Sequence, residues 1–208
     1  MRTQGIRNVI FDLGGVLIDL DKARCYNEFE ALGMKDAQVF LDKPESNEIY
    51  YQFERGGIND VEFRTYLRKA LPDNVTDESI DKAWSSMLVG IPQYKLDMLL
   101  KLRESYVVYL LSNTNNIHWE WALANFFRYR GFRAEDFFEQ EYLSFRLKSC
   151  KPEAAIFEQV IKEANVEPME TFFIDDKPEN TAMAEKLGLK VYTPQANEDW
   201  TFLFEDEK

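Results

Sequence analysis

The sequence predicts an α/β protein: a parallel sheet with helices on both faces, and a helical segment inserted after the first strand. After Pro92, continuous apolar runs such as residues 106–111 alternate with segments of helical periodicity. That pattern is typical of buried parallel strands joined by right-handed helical crossovers. Between Asp21 and Val89, apolar residues recur at helical spacing only. The predicted class is therefore a Rossmann-like parallel sheet with an inserted helical unit.

Each element has a local signal. Five short apolar runs are predicted as strands, at residues 7–11, 106–111, 141–144, 171–174 and 190–192. Helical periodicity between them covers residues 93–104, 153–164 and 179–187. Inside the insert, helical spacing covers residues 23–32 and 61–68, and Thr76 followed by two acidic residues predicts another helix start. The expected division is a sheet domain of residues 1–18 and 90–208 and a helical domain of residues 19–89.

Composition limits the class of partner. The chain has 208 residues and a net charge of −12, which argues against nucleic acid or an anionic membrane as the main partner. A small anionic substrate stays possible, because a local lysine or a metal ion can override the overall charge. Cys25 and Cys150 do not form a disulfide framework, and no apolar stretch suits a signal peptide or a membrane span. We expect a cytoplasmic protein, either a monomer or a homodimer.

Polar side chains follow the predicted strands. Asp12, Ser112 and the pair Asp175-Asp176 each come directly after a strand, and Lys151 precedes a helix. Because the carboxyl ends of parallel strands meet at one edge of a sheet, we expect these groups to lie together. Each residue alone also has an ordinary explanation as a turn former or helix cap.

These groups suit phosphoryl transfer. Carboxylates that meet at one point repel one another unless a cation lies between them, and hard oxygen ligands favour Mg²⁺. A lysine can hold a phosphate, and Ser112 and Asn113 can donate hydrogen bonds to its oxygens. One carboxylate can then attack phosphorus to form an aspartyl-phosphate, which water hydrolyses in a second step.

Four segments in fixed order carry a family resemblance. They are FDLGGVL at 11–17, LSNTN at 111–115, KPE at 151–153 and FIDD at 173–176. Their order and strand context resemble the haloacid dehalogenase-like (HAD) hydrolases. The chain most resembles the branch of small sugar-phosphate phosphatases that includes bacterial glucose-1-phosphatase-like proteins, with the phosphatase domain of soluble epoxide hydrolase as a further relative. FERGGI at 53–58 supports that branch, and the insert is similar to the family's helical cap.

The resemblance implies a magnesium site. Asp12 is then the nucleophile and a metal ligand, and Gly14 supplies its backbone carbonyl to the metal. Asp176 is a direct ligand, whereas Asp175 acts through a water or from behind the ligands. Asn180 orients the groups around the metal.

The resemblance also implies a phosphoryl site. Ser112 and Asn113 bind the phosphoryl group, and Lys151 pairs with that group and with Asp12. Lys148 lies three residues before Lys151 and is a rival for the same role. The KPE context favours Lys151.

One position departs from the family pattern. Most phosphatases of this family carry a second aspartate two residues after the nucleophile as general acid and base, and here that residue is Gly14. Loss of such a group typically costs ~10²–10⁴-fold in rate. The related glucose-1-phosphatase-like branch also has glycine there, so we expect a magnesium-dependent phosphatase acting on a small phosphorylated metabolite, with a sugar phosphate as the first candidate.

Two alternatives stay open. One is a catalytically silent phosphate-binding or protein-interaction member of the same fold, and the other is a haloacid dehalogenase, which the retained Asp175-Asp176 pair disfavours. The proton for the leaving group must come from a metal-bound water, a residue of the cap or the substrate. Five residues of the insert can face the site and contact the substrate: Tyr50, Tyr51, Phe53, Glu54 and Arg55. Helix packing explains Tyr50 and Phe53 equally well, and the charged pair Glu54-Arg55 can simply face solvent. His118, the single histidine, is expected to pack rather than react.

Overall fold

The computed structural model describes residues 4–204. In this part of the chain the backbone forms seven strands: β1 (Asn8–Phe11), β2 (Asp19–Leu20), β3 (Leu88–Gly90), β4 (Val107–Ser112), β5 (Gln140–Leu143), β6 (Thr171–Ile174) and β7 (Lys190–Tyr192). The five predicted strands are β1, β4, β5, β6 and β7, and their ends lie within one residue of the prediction. Continuous apolar runs with turn residues at their ends therefore located the strands correctly.

The main sheet is parallel and has the order β5-β4-β1-β6-β7. In the centre, Asn8 of β1 is in register with Val107 of β4 on one side and with Thr171 of β6 on the other. Side chains of β1 alternate between the two faces: Val9 and Phe11 belong to one hydrophobic cluster and Ile10 to another. Both faces are thus buried, which explains why β1 reads as an unbroken apolar run.

Helices surround the sheet and form the insert. Those of the insert are α1 (Lys22–Ala31), α2 (Ala37–Leu41), α3 (Pro44–Glu54), α4 (Asp60–Leu67) and α5 (Asp77–Ser85). Those beside the sheet are α6 (Gln93–Leu102), α7 (Asn116–Asn125), α8 (Ala134–Phe137), α9 (Ser144–Leu147), α10 (Ala154–Ala164) and α11 (Pro178–Lys186). This arrangement confirms the predicted α/β class with an inserted helical unit. None of the helices in residues 4–204 is long and apolar enough to cross a membrane.

The insert has a hydrophobic cluster to which, among the described residues, only Ile117 of α7 is added from outside residues 19–89. Phe29, Phe53 and Phe63 are buried in it, and the rings of Phe53 and Phe63 stack with centroids 4.3 Å apart. As predicted, Thr76 caps α5, because its hydroxyl accepts the backbone N–H of Ser79. The helices of the insert therefore pack mainly around one another.

The two connections to the insert pair with each other, which the sequence did not predict. β2 and β3 form an antiparallel two-stranded sheet in which Asp19 is in register with Gly90. Strands of two and three residues are too short to show a periodic pattern. The chain therefore enters and leaves the insert side by side.

Candidate active site

Three neighbouring strands deliver the polar groups to one edge of the sheet. Asp12 follows β1, Ser112 is the last residue of β4, and Asp175 and Asp176 follow β6. Because β4, β1 and β6 are adjacent and parallel, their carboxyl ends lie side by side. These segments therefore meet at one edge of the sheet, as the sequence predicts.

Lys151 lies between two of the carboxylates. Its Nζ is 2.9 Å from Asp12 Oδ1 and 2.5 Å from Asp175 Oδ2, and it donates to the carbonyl of Leu111 at 2.8 Å. The lysine is only 4 % exposed, so its charge is compensated by these partners rather than by water. The rival Lys148 instead donates to the carbonyl of Gly56 in the insert, at 2.6 Å.

Asp175 is saturated with donors. Besides Lys151, its carboxylate accepts the backbone N–H of Lys177 at 2.8 Å and the side-chain amide of Asn180 at 3.0 Å. Asp175 is fully buried. Its carboxylate is therefore fixed by these donors, and Asn180 contributes one of them.

One carboxylate oxygen of Asp176 lacks a hydrogen-bond partner among the described residues. Its Oδ2 is 3.1 Å from Lys177 Nζ, whereas its buried Oδ1 has no hydrogen-bond partner in the described part of the chain. A buried carboxylate oxygen without a partner costs free energy unless a ligand satisfies it. Asp12, Asp175 and Asp176 each offer an oxygen within 4.8 Å of the others. An all-oxygen set of this kind suits a hard divalent cation.

The electrostatics of the cluster show a shortage of positive charge. Burial raises the pKa of Asp12 to about 7, with Lys151 opposing the rise and Asp175 adding to it. Burial acts to lower the pKa of Lys151, but Asp12 and Asp175 outweigh it and the pKa is raised. Lys151 therefore stays charged, and one buried lysine does not fully stabilise the carboxylates around it.

Ser112 and Asn113 differ in what they offer. Both polar atoms of the Asn113 side-chain amide contact the backbone of Lys151. Nδ2 donates to the carbonyl and Oδ1 accepts the N–H, both at 2.9 Å. The Ser112 hydroxyl has only a 3.4 Å contact with the carbonyl of Asn113. The serine hydroxyl is therefore the freer of the two predicted phosphate-binding side chains, and Asn113 also positions the lysine.

Two glycines shape the loop after Asp12. A Cβ on Gly15, whose φ is +80°, would lie 2.8 Å from Asp176 Oδ2, so only glycine allows this approach. At Gly14, a Cβ would lie 3.1 Å from Leu20 Cδ1. Leu20 thus occupies the space next to the position where most family phosphatases carry an aspartate.

A cavity of about 240 Å³ lies between this edge of the sheet and the insert. Gly14 and Ser112 line it from the sheet, and polar residues of the insert line it from the other side, among them Lys22, Asn47 and Glu54. A larger open groove of about 590 Å³ runs past Gly57 and Lys148 and contains none of the strand-end groups. The smaller cavity is therefore the candidate substrate site.

His118 also borders this cavity, but its ring is engaged. It stacks on Trp84 with centroids 4.9 Å apart, and Nε2 is 3.2 Å from the carbonyl of Trp84. Burial lowers the pKa of His118 to about 4. The imidazole is thus neutral and packed, which agrees with the expectation from the sequence.

Two supporting residues carried no sequence signal. Lys95 is fully buried, and its Nζ donates to the carbonyl of Val16 at 2.8 Å and pairs with Asp19 at 3.1 Å. The hydroxyl of Ser144 lies 2.6 Å from the carbonyl of Glu54. Both contacts join segments far apart in the chain, and neither residue type signals such a role by itself.

Fold and site together define a hydrolytic enzyme of the α/β class, with an acidic centre between a parallel sheet and an inserted helical unit. The chain belongs to the haloacid dehalogenase-like hydrolase family, whose family model matches residues 6–188. The predicted family is thereby confirmed.

Three similar proteins place the chain within this family. D-ribitol-5-phosphate phosphatase of Bacteroides thetaiotaomicron is 37% identical over 195 residues, which cover 94% of this chain and 95% of that protein. The structure of the HAD family enzyme bt-2542 of Bacteroides thetaiotaomicron in complex with magnesium and inorganic phosphate is 51% identical, with a TM-score of 0.89, over 96% of this chain and 100% of that chain. The structure of a HAD-like family hydrolase of Porphyromonas gingivalis is 35% identical, with a TM-score of 0.85, over 97% and 99% of the two chains.

Proposed function

We propose that this protein is a magnesium-dependent phosphatase that hydrolyses a small phosphorylated polyol or sugar through an aspartyl-phosphate on Asp12. The observation that carries the proposal is the group of three carboxylates, each with an oxygen within 4.8 Å of the others, around Lys151. The similar enzyme of known activity is a phosphatase, and a similar structure binds magnesium and phosphate.

The donor set fits Mg²⁺. Asp12 and Asp176 hold the ion in this proposal, together with the backbone carbonyl of Gly14, and the unpartnered Oδ1 of Asp176 supports the assignment. Asp175 is occupied by Lys151, Lys177 and Asn180 and acts from behind the ligands. When bound, the ion supplies positive charge that stabilises the transferring phosphoryl group.

Asp12 is the proposed nucleophile. Its Oδ1 accepts the backbone N–H of Leu13 at 2.7 Å and pairs with Lys151, so one carboxylate oxygen is fixed. In this proposal the other oxygen attacks the substrate. The attacking oxygen forms a bond to phosphorus while the bond to the leaving oxygen breaks. Water then releases phosphate and restores Asp12.

Ser112, Asn113 and Lys151 hold the phosphoryl group in this proposal. Within residues 4–204 the Ser112 hydroxyl has only a 3.4 Å contact with the carbonyl of Asn113 and can donate to phosphate instead, and Lys151 supplies a buried positive charge. Asn113 fixes the backbone of Lys151 and thereby the direction of its ammonium group. Such preorganised donors lower the barrier because they need not reorient during the reaction.

Residues 19–89 act as a cap in this proposal, and residues 1–18 with 90–208 act as the catalytic domain. The hydrophobic cluster of the helices, to which described residues outside 19–89 contribute only Ile117, and the paired connections β2 and β3 support this division. A cap that closes over the cavity keeps water out during the first step.

The volume and the polar lining of the cavity support the proposed substrate class. About 240 Å³ accommodates a small molecule, and Lys22, Asn47 and Tyr50 provide polar groups from the cap. The hydroxyl of Tyr50 is buried without a hydrogen-bond partner in residues 4–204, so a substrate hydroxyl would satisfy it. A phosphorylated polyol is therefore the first class of compound to test. D-ribitol 5-phosphate is the first choice, because the similar phosphatase is named for it.

A cytoplasmic location belongs to the same proposal. Cys25 and Cys150 are free, buried thiols, which suits a reducing compartment. The net charge of −12 supports a small metabolite rather than nucleic acid or an anionic membrane as the partner.

The test is phosphate release from a panel of phosphorylated polyols and sugars, with Mg²⁺ and with EDTA. We expect turnover that requires Mg²⁺ and is lost in Asp12→Asn, while the exposed control Asp73→Asn keeps wild-type rates. A folded wild-type protein that releases no phosphate from any compound would overturn the proposal and favour a silent binding protein.

A further inference from the structure

The site as described has no group to protonate the leaving oxygen. Gly14 replaces the usual aspartate, and Leu20 Cδ1 lies only 3.1 Å from the Cβ that such a residue would add. Lys151 is engaged by two carboxylates and a carbonyl. An alkoxide is a poor leaving group, so hydrolysis of a polyol phosphate requires a proton donor from elsewhere.

Glu54 is placed to be that donor. It is the last residue of α3, in the insert, and it lines the same cavity as Gly14 and Ser112. Its side chain forms no ion pair or hydrogen bond within residues 4–204, whereas the next residue, Arg55, pairs with Glu153 away from the cavity. A carboxyl group that faces a substrate cavity without a protein partner is free to interact with substrate.

The backbone of Glu54 is tied to the phosphoryl end of the site. The Ser144 hydroxyl lies 2.6 Å from the carbonyl of Glu54, and it accepts the backbone N–H of Thr114 at 2.9 Å. Thr114 is two residues after Ser112. A single buried hydroxyl, 90 residues after Glu54 in the chain, therefore fixes the end of α3 against the loop that follows β4.

The environment of Glu54 suits a proton donor near neutral pH. Burial raises its pKa to about 7, although the charges of Lys151 and Lys22 oppose the rise. A general acid and base works best when its pKa lies close to the operating pH. The other ionisable groups around the cavity are Lys22, Cys25, Tyr26, Asp42, Tyr50 and His118.

The other candidates near the cavity suit the role less well. His118 is neutral because its pKa is lowered to about 4 by burial. The hydroxyl of Tyr26 donates to Asp42, and burial raises its pKa to about 12. Burial raises the pKa of the Cys25 thiol to about 12 as well. None of these three groups exchanges a proton readily at neutral pH.

We infer that Glu54 is the general acid and base of this enzyme, supplied by the helical insert in place of the side chain that Gly14 lacks. The inference rests on the proposed phosphatase function. It assigns a catalytic residue to the end of α3, so the catalytic set is complete only when the insert lies against the sheet domain.

The proton balance closes over the two steps. In the first, Asp12 forms the O–P bond, the bond from phosphorus to the leaving oxygen breaks, and that oxygen takes the proton of Glu54. In the second, water forms an O–P bond as the bond to Asp12 breaks, and the Glu54 carboxylate accepts a proton from the water. The products are the alcohol and phosphate, and Glu54 is protonated again.

The test compares kcat/KM of wild type and Glu54→Gln on two substrates, D-ribitol 5-phosphate and p-nitrophenyl phosphate. Loss of a general acid slows the alkyl ester, whose leaving group needs a proton, far more than the aryl ester, whose leaving group does not. We expect a fall of ~10²-fold or more for the first and less than ~10-fold for the second. Glu48→Gln, an exposed change on the same helix, is the matched control.

The outcomes separate this inference from the proposed function. If wild type hydrolyses both esters and Glu54→Gln slows them equally or not at all, the inference is wrong and the phosphatase function stands. If wild type hydrolyses neither ester with Mg²⁺, the function fails and the inference fails with it. Should Glu54→Gln not fold, Glu54→Asp keeps the carboxyl group, and an equal loss on both esters in that variant would also overturn the inference.

Discussion

Asn113 and Lys151 are joined by two reciprocal hydrogen bonds. The amide Nδ2 of Asn113 donates to the carbonyl of Lys151, and its Oδ1 accepts the N–H of the same residue, both at 2.9 Å. A side-chain amide thus holds the backbone of a lysine 38 residues further along the chain, much as a neighbouring strand would. The position of the lysine ammonium depends on this pair.

Replacing Asn113 by alanine therefore weakens catalysis through Lys151. Both hydrogen bonds are lost, and the ammonium group moves relative to Asp12. We expect kcat to fall by ~10²-fold, the cost typical of a misplacement of about 1 Å. Steady-state kinetics on the best substrate measures the effect, with Asn125→Ala at an exposed position as control. An unchanged kcat in a folded Asn113→Ala protein would contradict the positioning role.

Magnesium should stabilise the fold, and Asp176 should be required for this. A ligand that binds only the folded state at 100 times its Kd adds about 2.7 kcal/mol to the free energy of unfolding. We expect Mg²⁺ to raise the Tm of wild type and to change the Tm of Asp176→Asn little. The substitution removes the carboxylate whose Oδ1 has no hydrogen-bond partner among residues 4–204. Thermal unfolding with Mg²⁺ and with EDTA measures both shifts. Asp73→Asn should respond like wild type, and an equal response of Asp176→Asn would exclude this aspartate as a ligand.

His118 makes stability depend on pH in one direction. The folded state holds its pKa at about 4, against an ordinary value of 6.5. Between these values the unfolded chain binds a proton that the folded protein does not, so stability falls as pH drops from about 6.5 to about 4 and is unaffected above. The loss is on the order of 3 kcal/mol when complete.

The histidine effect can be isolated because the chain has a single imidazole. Urea unfolding at pH 7.5 and pH 5 should show a smaller difference for His118→Gln than for wild type. The imidazole resonances of the folded protein should not titrate between pH 5 and pH 8. A midpoint near 6.5 would show that the ring is accessible to water.

Leu20 sets the cost of restoring an aspartate at position 14. The added Cβ would lie 3.1 Å from Leu20 Cδ1, so we expect Gly14→Asp to lower the free energy of unfolding by about 1–3 kcal/mol. In a Leu20→Ala background the same substitution should cost less, because the obstructing methyl groups are gone. Urea unfolding of the four proteins gives the coupling between the two positions. Equal costs in both backgrounds would show that Leu20 is not the obstacle.

Much of the acidic edge of the sheet could be predicted from the sequence. Apolar runs located β1, β4 and β6. Asp12, Ser112 and Asp175 lie at or just after the carboxyl ends of these strands and share an edge because adjacent parallel strands end together. Lys151 was preferred over Lys148 on its motif, and it is Lys151 that lies between the carboxylates. The strand positions needed only local patterns and the geometry of a parallel sheet, whereas the choice of Lys151 came from the family resemblance.

The sequence by itself determined the fold class, the family and which polar groups lie at the carboxyl ends of the strands. Only the tertiary structure decided that Glu54 faces the cavity while Arg55 pairs outside it, that Ser144 ties Glu54 to Thr114, and that Lys95 is buried against Val16. A strand or helix pattern is set by neighbours along the chain and can be read locally. The partner of a single polar side chain depends on which distant segments pack together, and no periodicity encodes that choice.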